Sequence, residues 1–367
     1  MKIGVPKEIK VHEYRVGLVP ASVHELIKNG HEVYVEVNAG AGIKCFDGDY
    51  EAAGATIVDT AEEVFENADL IIKVKEPQLQ ECAMLRPDQM LFTFLHLAAA
   101  KDIAEALCKS ACIAIAYETV TDDDGRLPLL APMSEVAGRL SVQVGAHHLE
   151  KAQGGRGILL GGVTGVEPAE VLVLGGGFAG SHAIQIAMGM RAHVTVIDKS
   201  IHRLKQLQAE FGGALNTVSA TDYAVAEHIK LADLVVGAVL VPGASAPKLV
   251  TKDMLDTMHA GAVMVDISID QGGCFETSKP TTHEHPTFVV DGVIHYCVTN
   301  MPGAVPRTST FALNNATLPF VLALANKGFA KAMEEDKHLL NGLNVYQGNI
   351  THEAVAEALD MRCVEMD

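Results

Sequence analysis

Positive charge is scarce in this chain. Lysine and arginine number 28 against 46 aspartates and glutamates, a formal net charge of −18 over 367 residues. A nucleic-acid partner needs a basic face to neutralise its phosphates, so none is expected here. Long apolar runs are missing as well. The best candidate, residues 90–100, is interrupted by His96, whereas a membrane span needs about 18 uninterrupted apolar residues. No membrane partner is therefore expected. The opening Met1-Lys2-Ile3-Gly4-Val5-Pro6-Lys7-Glu8 carries charges where a signal peptide needs its apolar core, and a cytoplasmic location is expected. Cysteine is sparse and scattered: seven residues, odd in number, with no CxxC pair. Cys108 and Cys112 stand one helical turn apart, a spacing a metal site can use. The preferred reading is small buried hydrophobes in a reduced compartment, with no metal. Repeats and low-complexity segments are absent.

What is present is an ample core. Hydrophobic residues make up 49% of the chain and charged residues 20%, the balance of a soluble globular protein. The length favours two domains.

The most informative stretch is 171–198. Val171-Leu172-Val173-Leu174 reads as a strand, Gly175-Gly176-Gly177-Phe178-Ala179-Gly180 as a glycine turn opening a helix, and Val194-Thr195-Val196-Ile197-Asp198 as a second strand ending in an acid. That order is the one a dinucleotide-binding βαβ unit requires. Gly175 permits the tight turn, Gly177 lets the backbone approach a pyrophosphate, and Gly180 lets the helix lie close to its strand. The helix N-terminus offers free N–H groups and a positive dipole end to phosphates. Asp198 is placed to accept hydrogen bonds from the adenosine ribose hydroxyls and would repel a 2′-phosphate, so NAD is expected rather than NADP.

Strand and helix signals also alternate before this unit. Residues 2–5, 32–37, 70–74, 91–95 and 112–116 read as strands; 21–29 and 103–109 read as helices. The charged turn at 122–128 marks a first boundary. Residues 134–151 then read as one long helix with Ser134 as its N-cap. Further strands are expected at 234–237, 262–266 and 287–290, a second boundary at 300–306, and a long helix over about 308–326. The tail is too long to stand alone and is expected to return to the first domain. The expected fold is α/β with two Rossmann-like domains. The catalytic, substrate-binding domain is discontinuous (1–129 and 306–367), completed by the C-terminal helices, and the NAD-binding domain spans 130–305. A substrate cleft between the two is the natural expectation.

Several dispersed segments give the chain a resemblance to the alanine dehydrogenase family along nearly its whole length. They are the opening octapeptide with Glu13-Tyr14-Arg15-Val16, Lys73-Val74-Lys75-Glu76-Pro77, Phe94-Leu95-His96-Leu97-Ala98, Ala131-Pro132-Met133-Ser134-Glu135, Asp266-Ile267-Ser268-Ile269-Asp270-Gln271-Gly272-Gly273, and Asn300-Met301-Pro302-Gly303-Ala304-Val305-Pro306. The resemblance implies NAD-dependent oxidative deamination of L-alanine to pyruvate and ammonium, its reversal, and a homohexamer. Two other readings share parts of the pattern. One is the NAD-binding subunit of a proton-translocating transhydrogenase, which calls for a membrane segment or an adjoining membrane subunit. The other is a non-catalytic NAD sensor, which has no use for reactive side chains outside the glycine turn.

The resemblance assigns roles to four side chains. Arg15 matches the carboxylate-binding position, where a guanidinium fork meets a carboxylate bidentately. Lys75 matches a second substrate contact that can polarise a carbonyl oxygen. Lys73, two residues earlier, projects to the same side of a strand; spacing leaves that choice open and the motif selects Lys75. His96 follows a strand end and matches an acid/base position, chemistry that suits imidazole near neutral pH. Asp270 matches a second acid/base group, with Asp266 four residues earlier as the residue most easily confused with it. Cofactor contacts carry over to Met133, Ser134, Gly175, Gly177, Phe178, Ala179, Gly180, Asp198, Arg203, Ala220, Val239, Leu240, Ile267, Asn300 and Met301. Lys279 stands where relatives often have arginine, and Ala220 where they often have serine, leaving Ala220 only its backbone to offer adenine.

Overall fold

The computed structural model describes residues 1–239 and 246–364. Leu240, expected at the cofactor, lies outside the described residues. The chain divides into two compact units, one made of Met1–Met133 with the chain from Val305 onward, the other of Ser134–Ala304. The division falls inside the helix Ala131–His148.

The N-terminal part supplies β1 (Lys2–Val5), β2 (Glu32–Glu36), β3 (Thr56–Val58), β4 (Leu70–Ile72), β5 (Met90–Thr93) and β6 (Ile113–Ala116). The middle part supplies β7 (Glu170–Leu174), β8 (His193–Asp198), β9 (Leu215–Ser219), β10 (Leu234–Gly237), β11 (Val263–Asp266), β12 (Thr287–Val290) and β13 (Val293–Tyr296). The tail adds β14 (Leu343–Tyr346) and β15 (Asn349–Ile350).

In the first unit the order is β15-β14-β6-β5-β4-β1-β2-β3, parallel from β3 to β6 and antiparallel at β14 and β15. In the second it is β12-β13-β11-β10-β7-β8-β9, with only β12 antiparallel. Each sheet therefore contains the doubly wound progression third-second-first-fourth-fifth. The chain reverses its direction of travel between β1 and β4 in one, and between β7 and β10 in the other. Loops beyond the carboxyl ends of strands at such a reversal are where open α/β sheets place ligands. The central strands are apolar on both faces, as parallel strands covered by helices must be: Leu70, Ile71 and Ile72 are all fully buried. The fold is α/β, as expected.

Differences from the sequence reading are local and have physical causes. The long helix begins at Ala131, not Ser134, so Ser134 lies within it instead of capping it. Pro132 sits in its first turn, where a missing N–H costs nothing. The strand expected to reach Leu95 stops at Thr93. The tail brings a β-hairpin as well as helices; β14 pairs antiparallel with β6. Its long helix, Pro306–Lys327, packs on the helix Pro20–Lys28. Buried Asn314 of that tail helix accepts from Val19 N (2.9 Å) and Ser22 Oγ (2.8 Å), and donates to Gly17 O (2.8 Å). The C-terminal segment thereby fixes the loop that follows Arg15. Five cysteines (45, 82, 112, 274 and 297) are buried, and burial raises the thiols of Cys82 to about 12 and Cys112 to about 11.

Candidate active site

In the first unit, Arg15, Lys75 and His96 all lie beyond the carboxyl ends of parallel strands, after β1, β4 and β5 in turn. Each is held by a carboxylate that the sequence reading did not single out.

Arg15 is 2% exposed. Its Nε and Nη2 donate to the two oxygens of Glu13 at 2.6 and 2.5 Å, and its Nη1 lies 3.1 Å from Met133 Sδ. The edge of the guanidinium expected to fork a substrate carboxylate is thus taken by Glu13, two residues away. Met133 is buried against Arg15 in this unit, whatever else it contacts.

Lys73 and Lys75 part company. Lys73 is fully buried, its ammonium 3.0 Å from Glu8 and 2.8 Å from Glu81. Burial alone would lower its pKa, but the two carboxylates outweigh that and hold it above its ordinary value. Lys75 is only partly buried. Its backbone is pinned by Glu8 Oε1, which accepts from Val74 N (2.6 Å) and Lys75 N (3.4 Å), and by Thr93 Oγ1 donating to Lys75 O (2.9 Å). One lysine builds the loop, and the other is displayed by it.

His96 is exposed, with a left-handed backbone (φ 48°, ψ 37°). Its ring stacks parallel on Phe94 at 5.7 Å between centroids. Phe94 in turn meets Tyr117 edge-on, and Tyr117 Oη donates to Lys73 O at 3.0 Å. Glu118 accepts from the N–H groups of Leu95 and His96.

In the second unit the glycine turn follows β7. Gly175 has φ +94°, a conformation that favours glycine. A Cβ on Gly180 would strike Gly175 O, which is the close helix–strand approach the motif calls for, whereas a Cβ on Gly177 would meet no protein atom within 4 Å. The backbone at Gly177 and Phe178 is exposed at the head of the helix Phe178–Gly189, with Ala179 partly covered and Gly180 buried. Asp198, at the end of β8, accepts from Gly176 N (Oδ2, 2.7 Å) and Ser200 N (Oδ1, 2.7 Å). Arg203 donates to Gly176 O (2.7 Å) and Ser181 Oγ (2.5 Å). It therefore braces the glycine turn. Arg203, Arg139 and His182 line a cavity of about 260 Å³ beside that helix. An open backbone cradle, a helix N-terminus, cationic neighbours and an acid at the second strand fit a dinucleotide.

Asp266 and Asp270 also separate cleanly. Asp266 is fully buried and accepts from Ser268 N (3.0 Å), Cys274 N (2.9 Å) and Ser278 Oγ (2.5 Å). It ties together the loop in which Asp270, exposed, sits on the short turn Ile267–Gln271. Ser268 Oγ donates to Val239 O at 2.6 Å, joining this loop to the end of β10. Ile267 and Val239 are half-buried. Asn300 has a left-handed backbone (φ +60°), and Met301 is buried beside it. Ser134 is partly buried.

The Ala220 N–H donates to Asp198 O at 3.0 Å. The Lys279 ammonium lies 4.3 Å from the centroid of the Phe288 ring on β12, a cation–π contact.

Residues 4–137 match the model of the alanine dehydrogenase/PNT N-terminal domain, and 141–353 that of the alanine dehydrogenase/PNT C-terminal domain. The chain belongs to the alanine dehydrogenase/PNT family. An alanine dehydrogenase from Halomonas elongata is 58% identical over 365 residues, covering 100% of this chain and 98% of its own length. A solved L-alanine dehydrogenase superposes with a TM-score of 0.96 at 49% identity, covering 98% of this chain and 99% of its own. A transhydrogenase from Sinorhizobium meliloti superposes at 0.85 with 26% identity, covering 96% and 100%. Within the alanine dehydrogenase/PNT family, then, the nearer resemblance among these three is to the dehydrogenases. Among the described residues no helix is long and apolar enough to cross a membrane.

The sequence reading missed Glu8, Glu13 and Glu118. A signal for two of them was present: Glu8 and Glu13 stand inside the quoted opening segments. Nothing local marks Glu118, whose partner is 22 residues away.

Proposed function

We propose that this chain catalyses the reversible NAD-dependent oxidative deamination of L-alanine to pyruvate and ammonium. Full-length similarity to alanine dehydrogenases supports the activity. The observation that supports the residue roles is that the sequence-adjacent rivals are buried builders, while their partners are displayed at strand ends. Lys73 and Asp266 are sealed in; Lys75, His96 and Asp270 are not.

When bound, NAD supplies the acceptor for the Cα hydride. Gly175, Gly177, Phe178, Ala179 and Gly180 would hold its pyrophosphate. Asp198 would hold the ribose, since each of its oxygens accepts one backbone N–H and retains a lone pair for a hydroxyl. A 2′-phosphate would meet that carboxylate's charge. Arg15, its plane set by Glu13, would meet the alanine carboxylate through its Nη1–Nη2 end. Lys75 would direct its ammonium at the carboxylate or the keto oxygen, stabilising negative charge as it develops there. His96 and Asp270 share the protons. The alanine ammonium must lose one before Cα can be oxidised. The water that adds to the imine must then lose both its protons as the keto oxygen forms, and the departing nitrogen must gain two to leave as ammonium. Those transfers occur near neutral pH, where an imidazole and a carboxylate serve as donor and acceptor.

His96→Ala should abolish turnover while leaving NADH binding intact, measured by steady-state rate and NADH fluorescence titration. Normal turnover in that variant would refute the role given to His96. On the family resemblance we further propose a cytoplasmic homohexamer, which light scattering of the purified protein would test.

A further inference from the structure

The carboxylate of Glu118 binds the backbone of the residue that we propose moves protons. Its oxygens accept from Leu95 N at 3.1 and 3.2 Å and from His96 N at 2.5 Å, and Oε1 lies 3.7 Å from His96 Nδ1. The side chain of Glu118 is 15% exposed, against 45% for His96, so the carboxylate sits behind the imidazole, on its protein side. Hydrogen bonds to an ionised acceptor are the strong ones.

His96 needs such an anchor. A left-handed backbone is strained for a residue other than glycine, and His96 holds φ 48°, ψ 37°. The imidazole lies on Phe94, with the rings 1° from parallel. Glu118 itself is held. It lies on the turn Tyr117–Thr119 after β6, and Thr119 Oγ1 accepts from Asn344 Nδ2 at 2.8 Å, on β14 of the returning tail. The tail also packs the helix Glu353–Leu359 on the turn Leu97–Ala99 that follows His96. At the head of that helix, His352 feels the Glu118 charge.

We infer that Glu118 is the positioning residue of His96: it holds the strained backbone that presents the imidazole and faces Nδ1, leaving Nε2 as the working nitrogen. This rests on the acid/base role proposed for His96.

The test compares Glu118→Gln, Glu118→Ala and His96→Ala with the parental full-length enzyme, with kcat, KM for alanine, KM for NAD and thermal midpoint measured for each protein. Glu118→Gln keeps an acceptor oxygen for the backbone but loses the charge. It should fold with the parental midpoint, hold both KM values within about 2-fold, and lower kcat about 10-fold, since small misplacement of a reacting group is costly. Glu118→Ala should lower kcat further. A parental kcat for Glu118→Gln beside an inactive His96→Ala overturns this inference alone. A loss of activity in Glu118→Gln that is carried by raised KM values or by a lowered thermal midpoint also overturns it. Normal turnover of His96→Ala overturns the role of His96 and this inference with it.

Discussion

Glu13 and Arg15 face each other as a two-pronged ion pair, Oε1 to Nε at 2.6 Å and Oε2 to Nη2 at 2.5 Å, with side chains 0% and 2% exposed. Two residues apart in sequence, they form one rigid neutral unit in which Glu13 fixes the guanidinium plane. Breaking a buried ion pair of this kind costs about 3–5 kcal/mol. Glu13→Ala should lose stability on that scale in urea unfolding and raise KM for alanine more than it lowers kcat. A variant with parental stability and KM would contradict the pairing.

The two lysines of the Lys73-Val74-Lys75 segment should give opposite phenotypes. Lys73 neutralises Glu8 and Glu81 in a fully buried cluster. Lys73→Met should therefore destabilise the fold by about 3–5 kcal/mol, and any activity loss should follow the loss of folded protein. Lys75→Met should keep the parental unfolding midpoint and lower kcat/KM for alanine by about 100-fold, as removal of a charge-stabilising donor does. The reverse pattern would exchange their roles.

The glycines of the phosphate turn should also divide. Gly177→Ala adds a methyl into open space, so the protein should fold normally and bind NADH more weakly by fluorescence titration. Gly180→Ala pushes a methyl into Gly175 O and should lower the thermal midpoint by several degrees. Unchanged NADH affinity in folded Gly177→Ala would argue against the pyrophosphate lying there.

Three histidines make stability fall on the acid side. Burial lowers the pKa of His148, with His147 adding to the effect; burial lowers His295, with a smaller push from Lys279; and burial lowers His352 against the pull of Glu118. Each stays neutral in the folded chain at a pH where the unfolded chain, near 6.5, already takes a proton. The unfolded state thus binds more protons below that value. The stabilisation is complete above pH 6.5 and drains as pH falls through the lower folded-state values. Between pH 7.5 and 5 the parental thermal midpoint should fall relative to that of His148→Gln. A constant difference between the two would contradict it.

Much of this was legible in the sequence because the glycine turn and the apolar parallel strands signal through local pattern. Strands β7, β10 and β12 stand where the pattern placed them. Strand β9, Leu-Asn-Thr-Val-Ser, escaped because it is largely polar and half exposed. The β14–β15 hairpin escaped because its stability comes from pairing with β6, more than two hundred residues earlier. Spacing could not separate Lys73 from Lys75, or Asp266 from Asp270. What separates them is burial and long-range hydrogen bonding, such as Lys73 with Glu8, 65 residues away. Glu118 was invisible for the same reason: its meaning lies in the backbone it grips, and backbone conformation at His96 leaves no mark in composition.

The most direct measurement is NADH absorbance after L-alanine and NAD are added to the purified protein. Alanine-dependent NADH formation is expected, reversed by pyruvate with ammonium, with little or no reduction of NADP. Silence with alanine, together with exchange of reducing equivalents between two nicotinamide nucleotides, would contradict it and point to the transhydrogenase branch of the family.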